Sequence, residues 1–126
     1  MQIPEDLRYT NDHEWLRVED GIGTIGISDY AQGELTDITF VELVDVGTDL
    51  KKGDTFGTVD GIKAVSDVYS PVDGTITEVN GELEDQPELI NEEPYGKGWM
   101  IRIKLADESQ IVDMLDSAAY AKLIEE

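Results

Sequence analysis

The sequence predicts a mostly β fold: one domain of short strands, with short helices and a helix at its C-terminal end. Three observations carry this. Apolar residues alternate over short runs, Gly and Asp punctuate those runs, and a helical repeat stands out only near the C-terminus. At 126 residues and 40% apolar, the chain is long enough for one core and short for two.

The elements follow in order. "EWLRVEDGIGTIGI" is two strand-like runs around Asp20-Gly21, a hairpin signal. Ser28 caps a short helix through Leu35, and "DITFVEL" then alternates as a strand. "QPELI" puts Pro87 at a first helical position. At the C-terminal end Asp107 and Gln110 have capping-box spacing, and Ile111, Met114, Leu115, Ala118 and the Lys122 stem fall on one face of a continuous helix.

Composition excludes several function classes. Nine Lys and Arg against 29 Asp and Glu leave a net charge of −20, which repels nucleic acid and anionic membrane and favours basic protein surfaces. With no cysteine there is no thiol nucleophile or Cys-based metal site, and the single histidine, His13, has no second metal-type ligand beside it. No nucleophile elbow, phosphate loop or dinucleotide fingerprint is present, so a catalyst acting alone is not expected. The N-terminus has neither a basic region nor an apolar run, and the expected compartment is the cytoplasm.

One lysine stands out among six. Lys63 lies between Ile62 and Ala64 in "VDGIKAVSDV", flanked by strand-like "TFGTV" and "VSDVY". A five-residue echo, Val46–Leu50 against Val79–Leu83 at an offset of 33, places it roughly midway between two similar segments. Lys63 is therefore expected at the apex of a hairpin, projecting to solvent. Its bland reading is a surface lysine with a snorkelling stem.

At this point the residues resemble the lipoyl and biotinyl carrier domains, and within them the glycine cleavage H-protein family. The resemblance runs through "HEW", "GISDYAQ", "VELVDVG", "KAVSDVYSPVDG", "PELIN", "PYGKGWM" and "YAKL". It implies a flattened β-sandwich (a barrel-sandwich hybrid) of two antiparallel sheets. One lipoyl-carrier domain would span 1–126, its core about 20–105 and a C-terminal helical segment about 107–125. It also implies (R)-lipoate in amide linkage on Lys63, a modification that removes the lysine's charge. The implied partners are a pyridoxal-phosphate glycine decarboxylase (P protein), an aminomethyltransferase (T protein), a flavin dihydrolipoyl dehydrogenase (L protein), and a lipoate ligase or lipoyl/octanoyl transferase. Such a protein is a non-catalytic carrier, expected to be a monomer, that moves the aminomethyl group of glycine and then reducing equivalents.

The resemblance assigns further residues. Gly47 and Gly74, sixteen before and eleven after the lysine, and Asp60 are implied in recognition by the attaching enzyme. Their bland reading is turn glycines and one more surface acid. Glu14 and Asp67 are implied in a cleft that holds the loaded arm, with Asp12 standing where the family commonly has a small residue. Each would otherwise be a solvated carboxylate. Before the lysine the family usually reads Glu-Ser-Val, whereas this chain has Asp60-Gly61-Ile62. Gly61 is expected to loosen the hairpin, and Glu-Ser at 60–61 to stiffen it and speed lipoylation.

Three other functions compete. A biotin carrier would have Met on both sides of the lysine, and Ile62 and Ala64 stand there. A lipoyl domain of a 2-oxo-acid dehydrogenase would be tethered by Ala/Pro linkers, which the sequence lacks. An H-like paralogue acting as a lipoyl donor differs only in its pathway, and Asp60-Gly61 is the one feature pointing to it.

Overall fold

The computed structural model describes residues 1–125. Strands β1 (Arg8–Tyr9), β2 (Glu14–Glu19), β3 (Ile22–Ile27), β5 (Asp49–Leu50), β8 (Gly74–Val79) and β9 (Ile101–Leu105) form one antiparallel sheet in the order β1-β2-β3-β9-β8-β5. Strands β4 (Ile38–Leu43), β6 (Thr55–Gly61) and β7 (Val65–Tyr69) form a second, in the order β4-β6-β7. Phe56, Val59, Val68, Ile76, Ile101 and Ile103 meet between the sheets, each nearly or fully buried. Burying a side chain of this size stabilises the fold by roughly 1.5–3 kcal/mol. This is the two-sheet, mostly β architecture that the sequence and its resemblance imply.

The local signals act where expected. Asp20 and Gly21 both take positive φ (51° and 78°), joining β2 to β3 in the primed turn that suits strand twist. Ser28 caps α1 (Asp29–Leu35), its hydroxyl accepting from the Ala31 N–H at 3.2 Å. Pro87 is not the first helical residue. It lies in a turn whose carbonyl accepts from Ile90 N–H, and Glu88 leads into α3 (Leu89–Glu92), a turn of chain away from α2 (Glu82–Asp85).

The C-terminal segment departs from the expected single helix. A 3-10 helix spans Glu108–Asp113, the chain extends at Met114 (ψ 159°), and α4 starts anew at Ser117–Ile124. The break is bought by a β-bridge: Tyr9 N–H donates to Leu115 O at 2.8 Å and Leu115 N–H to Tyr9 O at 2.9 Å. Leu115 then packs on a second apolar cluster of Leu7, Tyr9, Trp15, Tyr95 and Tyr120, and the Asp116 carboxylate recaps the chain by accepting from Ala119 N–H. The capping box does not form, because Asp107 accepts from Ser109 while Gln110 turns to accept from the Asp73 N–H. The internal echo also diverges, its first copy leading into β5 and its second into α2.

Gly61 proves to be a close-approach residue and not a loosening one. A Cβ at this position would lie 2.2 Å from the Leu35 carbonyl oxygen and 2.7 Å from the Leu35 Cβ. The residue that permits this contact cannot be exchanged for serine without moving the α1–β4 turn. That turn is itself strained, with Thr36 at φ 62° and ψ −145°, a region that a β-branched residue avoids. Asp60→Glu alone should therefore leave stability near that of the parent, while Asp60→Glu with Gly61→Ser should lose about 1–3 kcal/mol through overpacking. Urea unfolding of the two variants measures the difference, and equal midpoints would refute the contact.

Candidate functional site

The site is built around the β6–β7 hairpin. Gly61 N–H donates to Ala64 O at 2.9 Å, leaving Ile62 and Lys63 as a two-residue tip, both exposed. The tip is not free. Ile62 N–H donates to Asp37 O at 3.1 Å and Lys63 N–H to Leu35 O at 3.4 Å, so its backbone rests on the turn after α1. Asp60 sits in the row Phe40–Asp60–Val65 across three strands, with Phe40 and Val65 both exposed. The exposed Lys63 thus lies at the end of a hairpin whose neighbouring row is acidic and partly apolar.

Beside the tip is a cleft of about 230 Å³. Apolar Ile27, Leu35, Val59 and Val68 line it together with Asp12, His13, Glu14, Glu34 and Asp67. Leu35 belongs to both features, lining the cleft and accepting from Lys63. Glu14, Asp67 and Asp12, far apart in sequence, are brought into this one lining by β2, the edge strand β7 and the Thr10–Glu14 turn. The sequence reading missed Tyr30, Glu34 and Leu35, and only the face that α1 presents could have signalled them.

Glu14 is the unusual member, at 2% exposure. The Thr10 hydroxyl donates to its Oε1 at 2.6 Å and the Tyr69 N–H to its Oε2 at 3.2 Å. Burial pushes its carboxyl up to about 7, against those two hydrogen bonds and with Asp12 adding to the rise. Glu14 also lines a second cavity of about 230 Å³ with Lys52, Tyr69 and Asp113, so it forms the wall between two hollows. Asp67 and Asp12, by contrast, are exposed at the cleft rim.

His13 is a packed residue. At φ 71°, it bonds through Nδ1 to the Tyr120 hydroxyl at 2.8 Å, and its ring lies 4.9 Å from that of Tyr30. Burial lowers its pKa, with Asp12 and Glu34 opposing. Trp15 is fully buried, its Nε1 donating to Ile27 O and Pro94 O, and Trp99 lies under the Arg102 guanidinium at 4.2 Å. Among the described residues no group of His, Asp and Glu side chains is placed to hold a metal ion. No helix there is long and apolar enough to cross a membrane.

The two glycines do different things. Gly47 takes φ 91° in an open turn, a conformation that L side chains rarely adopt. Gly74 is buried, and a Cβ there would lie 2.6 Å from Lys104 O, so its requirement is packing of β8 on β9.

The site is thus an exposed lysine on a tight hairpin of a two-sheet sandwich, next to a partly apolar cleft with an acidic rim. The family profile described as Glycine cleavage H-protein matches residues 7–126. The glycine cleavage system H protein of Staphylococcus haemolyticus is 51% identical over 126 residues, covering 100% of both chains. That of Salinibacter ruber is 55% identical over 123 residues, 98% of this chain and 99% of the relative. A crystal structure of a glycine cleavage system H protein from Mycobacterium marinum superposes with a TM-score of 0.90 at 35% identity, over 98% of this chain and 100% of that one. The chain belongs to the glycine cleavage H-protein family.

The raised pKa of Glu14 has a stability consequence. Its folded carboxyl holds a proton more tightly than the unfolded one, so its contribution is full below the ordinary value of 4.5 and is lost as pH rises through about 7. The loss amounts to about 3 kcal/mol at most. His13, with its lowered pKa, acts in the opposite sense in an overlapping window, so the comparison must be against Glu14→Gln. Relative to that variant, the parent should lose stability in urea between pH 5 and pH 8, and parallel pH profiles would show Glu14 to be unperturbed.

Proposed function

We propose that this protein is the non-catalytic carrier of a glycine cleavage system, bearing (R)-lipoate in amide linkage on Lys63 Nζ. It would take the aminomethyl group of glycine from the P protein, give it to the T protein, and pass reducing equivalents to the L protein. The observation that carries the reading is the exposed Lys63 tip, pinned by its own backbone to a residue of the adjoining cleft.

The residues fit the group. An exposed primary amine forms a stable amide with a carboxyl, and a four-carbon stem at a two-residue tip gives it reach. The apolar lining from Ile27, Leu35, Val59 and Val68 suits an aliphatic chain, and the carboxylates suit a cation at its end. When bound, the lipoyl dithiolane supplies a disulfide that accepts the aminomethyl group with reduction and is later reoxidised.

The protein's own part is to bind, orient and exclude water. A primary amine brought into the cleft keeps its proton beside Asp12, Asp67 and Glu14, and its lone pair is then unavailable to expel a thiolate. Glu14 responds to such a cation. Its carboxyl titrates near neutrality because it is buried, and a positive charge nearby favours the ionised form. Half-buried Asp60 and the exposed Gly47 turn are the features that an attaching enzyme would meet. Gly74, being buried, would act through the sheet it packs.

Two measurements test this. Lys63→Arg keeps the charge but forms no amide, so it should abolish the lipoyl mass increase after co-expression with a lipoate ligase. Lys51 and Lys52, in a turn before β6, should stay unmodified, and lipoate found on either would overturn the assignment. Separately, Asp12→Asn with Glu14→Gln should leave lipoylation intact but release formaldehyde and ammonia from glycine-charged protein about tenfold faster, the effect of about 1.4 kcal/mol. Unchanged release would remove these acids from the carrier's function.

A further inference from the structure

We propose that Asn91 is a positioning residue that fixes the root of the Lys63 arm against the cleft. The proposal deepens the reading of Lys63 as the attachment point and rests on it. Asn91 lies in α3, remote in sequence from the hairpin, and its side chain grips the α1–β4 turn from both sides. Its Nδ2 donates to Thr36 O at 2.8 Å and to Gln32 Oε1 at 2.8 Å, while its Oδ1 accepts from Ile38 N–H at 2.9 Å. The two backbone partners dictate which end of the amide faces which group.

The gripped turn is the one on which the tip rests. Leu35 O and Asp37 O, flanking Thr36, accept from Lys63 N–H and Ile62 N–H, and Gly61 lets the hairpin approach the end of α1 that closely. Thr36 holds φ 62° and ψ −145°, so the turn is not in a conformation it would keep unaided. Its hydroxyl donates to Leu35 O at 2.6 Å, which is a local brace only. Asn91 ties the turn from outside the hairpin, bonding the backbone on both sides of Asp37 at the Thr36 carbonyl and the Ile38 N–H. Without it, the turn relaxes, its two carbonyls rotate, and the tip parts from the Leu35 wall of the cleft.

A general loss of stability and a loss of positioning give different results. In unmodified Asn91→Ala protein, amide hydrogen exchange at Ile62 and Lys63 should rise about tenfold, while Val41 and Val59 in the β4–β6 core stay protected. Adding Thr36→Gly, which takes positive φ without strain, should restore tip protection. After lipoylation and charging with glycine, Asn91→Ala should release formaldehyde several-fold faster than the parent, and the Thr36→Gly double variant should not. If Asn91→Ala does not fold, Asn91→Asp, which keeps the acceptor for Ile38 but loses both donors, carries the same readouts. Parent-like tip exchange, exchange raised equally throughout the fold, or faster tip exchange with unchanged release would each overturn the proposal. The exchange measurement needs no lipoate, so its failure is separate from a failure of Lys63→Arg to block attachment.

Discussion

A single hydroxyl holds the back of the cleft together. Tyr120 OH lies 2.6 Å from Ser28 Oγ and 2.8 Å from His13 Nδ1, while its ring stacks on Tyr9 at 4.6 Å between centroids. It therefore ties α4 to the cap of α1 and to the residue leading into β2. Those elements supply Tyr30, Glu34, His13 and Glu14 to the cleft. Burial raises the Tyr120 pKa to about 12, so the hydroxyl keeps its proton at any pH the fold meets. A largely buried knot of this kind is strong because the alternative is unpaired polar groups in an apolar setting.

Charge contributes little to holding the fold and much to how it meets others. The ion pair found among the described residues, Arg102 with Glu78 at 3.1 Å, is solvent-exposed, and such pairs contribute about 0–1 kcal/mol. Stability must come from the apolar layer between the sheets and the aromatic cluster around Trp15. The net charge of −20 is left to act at a distance, where an acidic surface draws basic ones and speeds their encounter. Glu14, a carboxylate whose pKa burial raises, is set in the wall of the cleft and not on that outer surface.

What was legible in the sequence was whatever depends on neighbours along the chain. The Asp20-Gly21 turn, the Ser28 cap, the strand (though not the strict alternation) of β4 and the hairpin around Lys63 are each decided within a few residues. The C-terminal segment was misread because its helical pattern is overruled by a backbone bridge to Tyr9, more than a hundred residues away. Gly61 was misread for a related reason: its lack of a Cβ answers to the Leu35 carbonyl and not to its own flexibility.

By itself, then, the sequence determined most of the elements, the lysine at a hairpin tip and, through its motifs, the family. Periodicity and turn chemistry are local, and they survive translation into any compact arrangement. Tertiary structure alone decided that burial raises the Glu14 carboxyl to about 7. It also decided that Asn91 braces the turn beneath Lys63. Each of these is set by desolvation or by a hydrogen bond between distant segments. Neither exists until the two sheets have closed on their core.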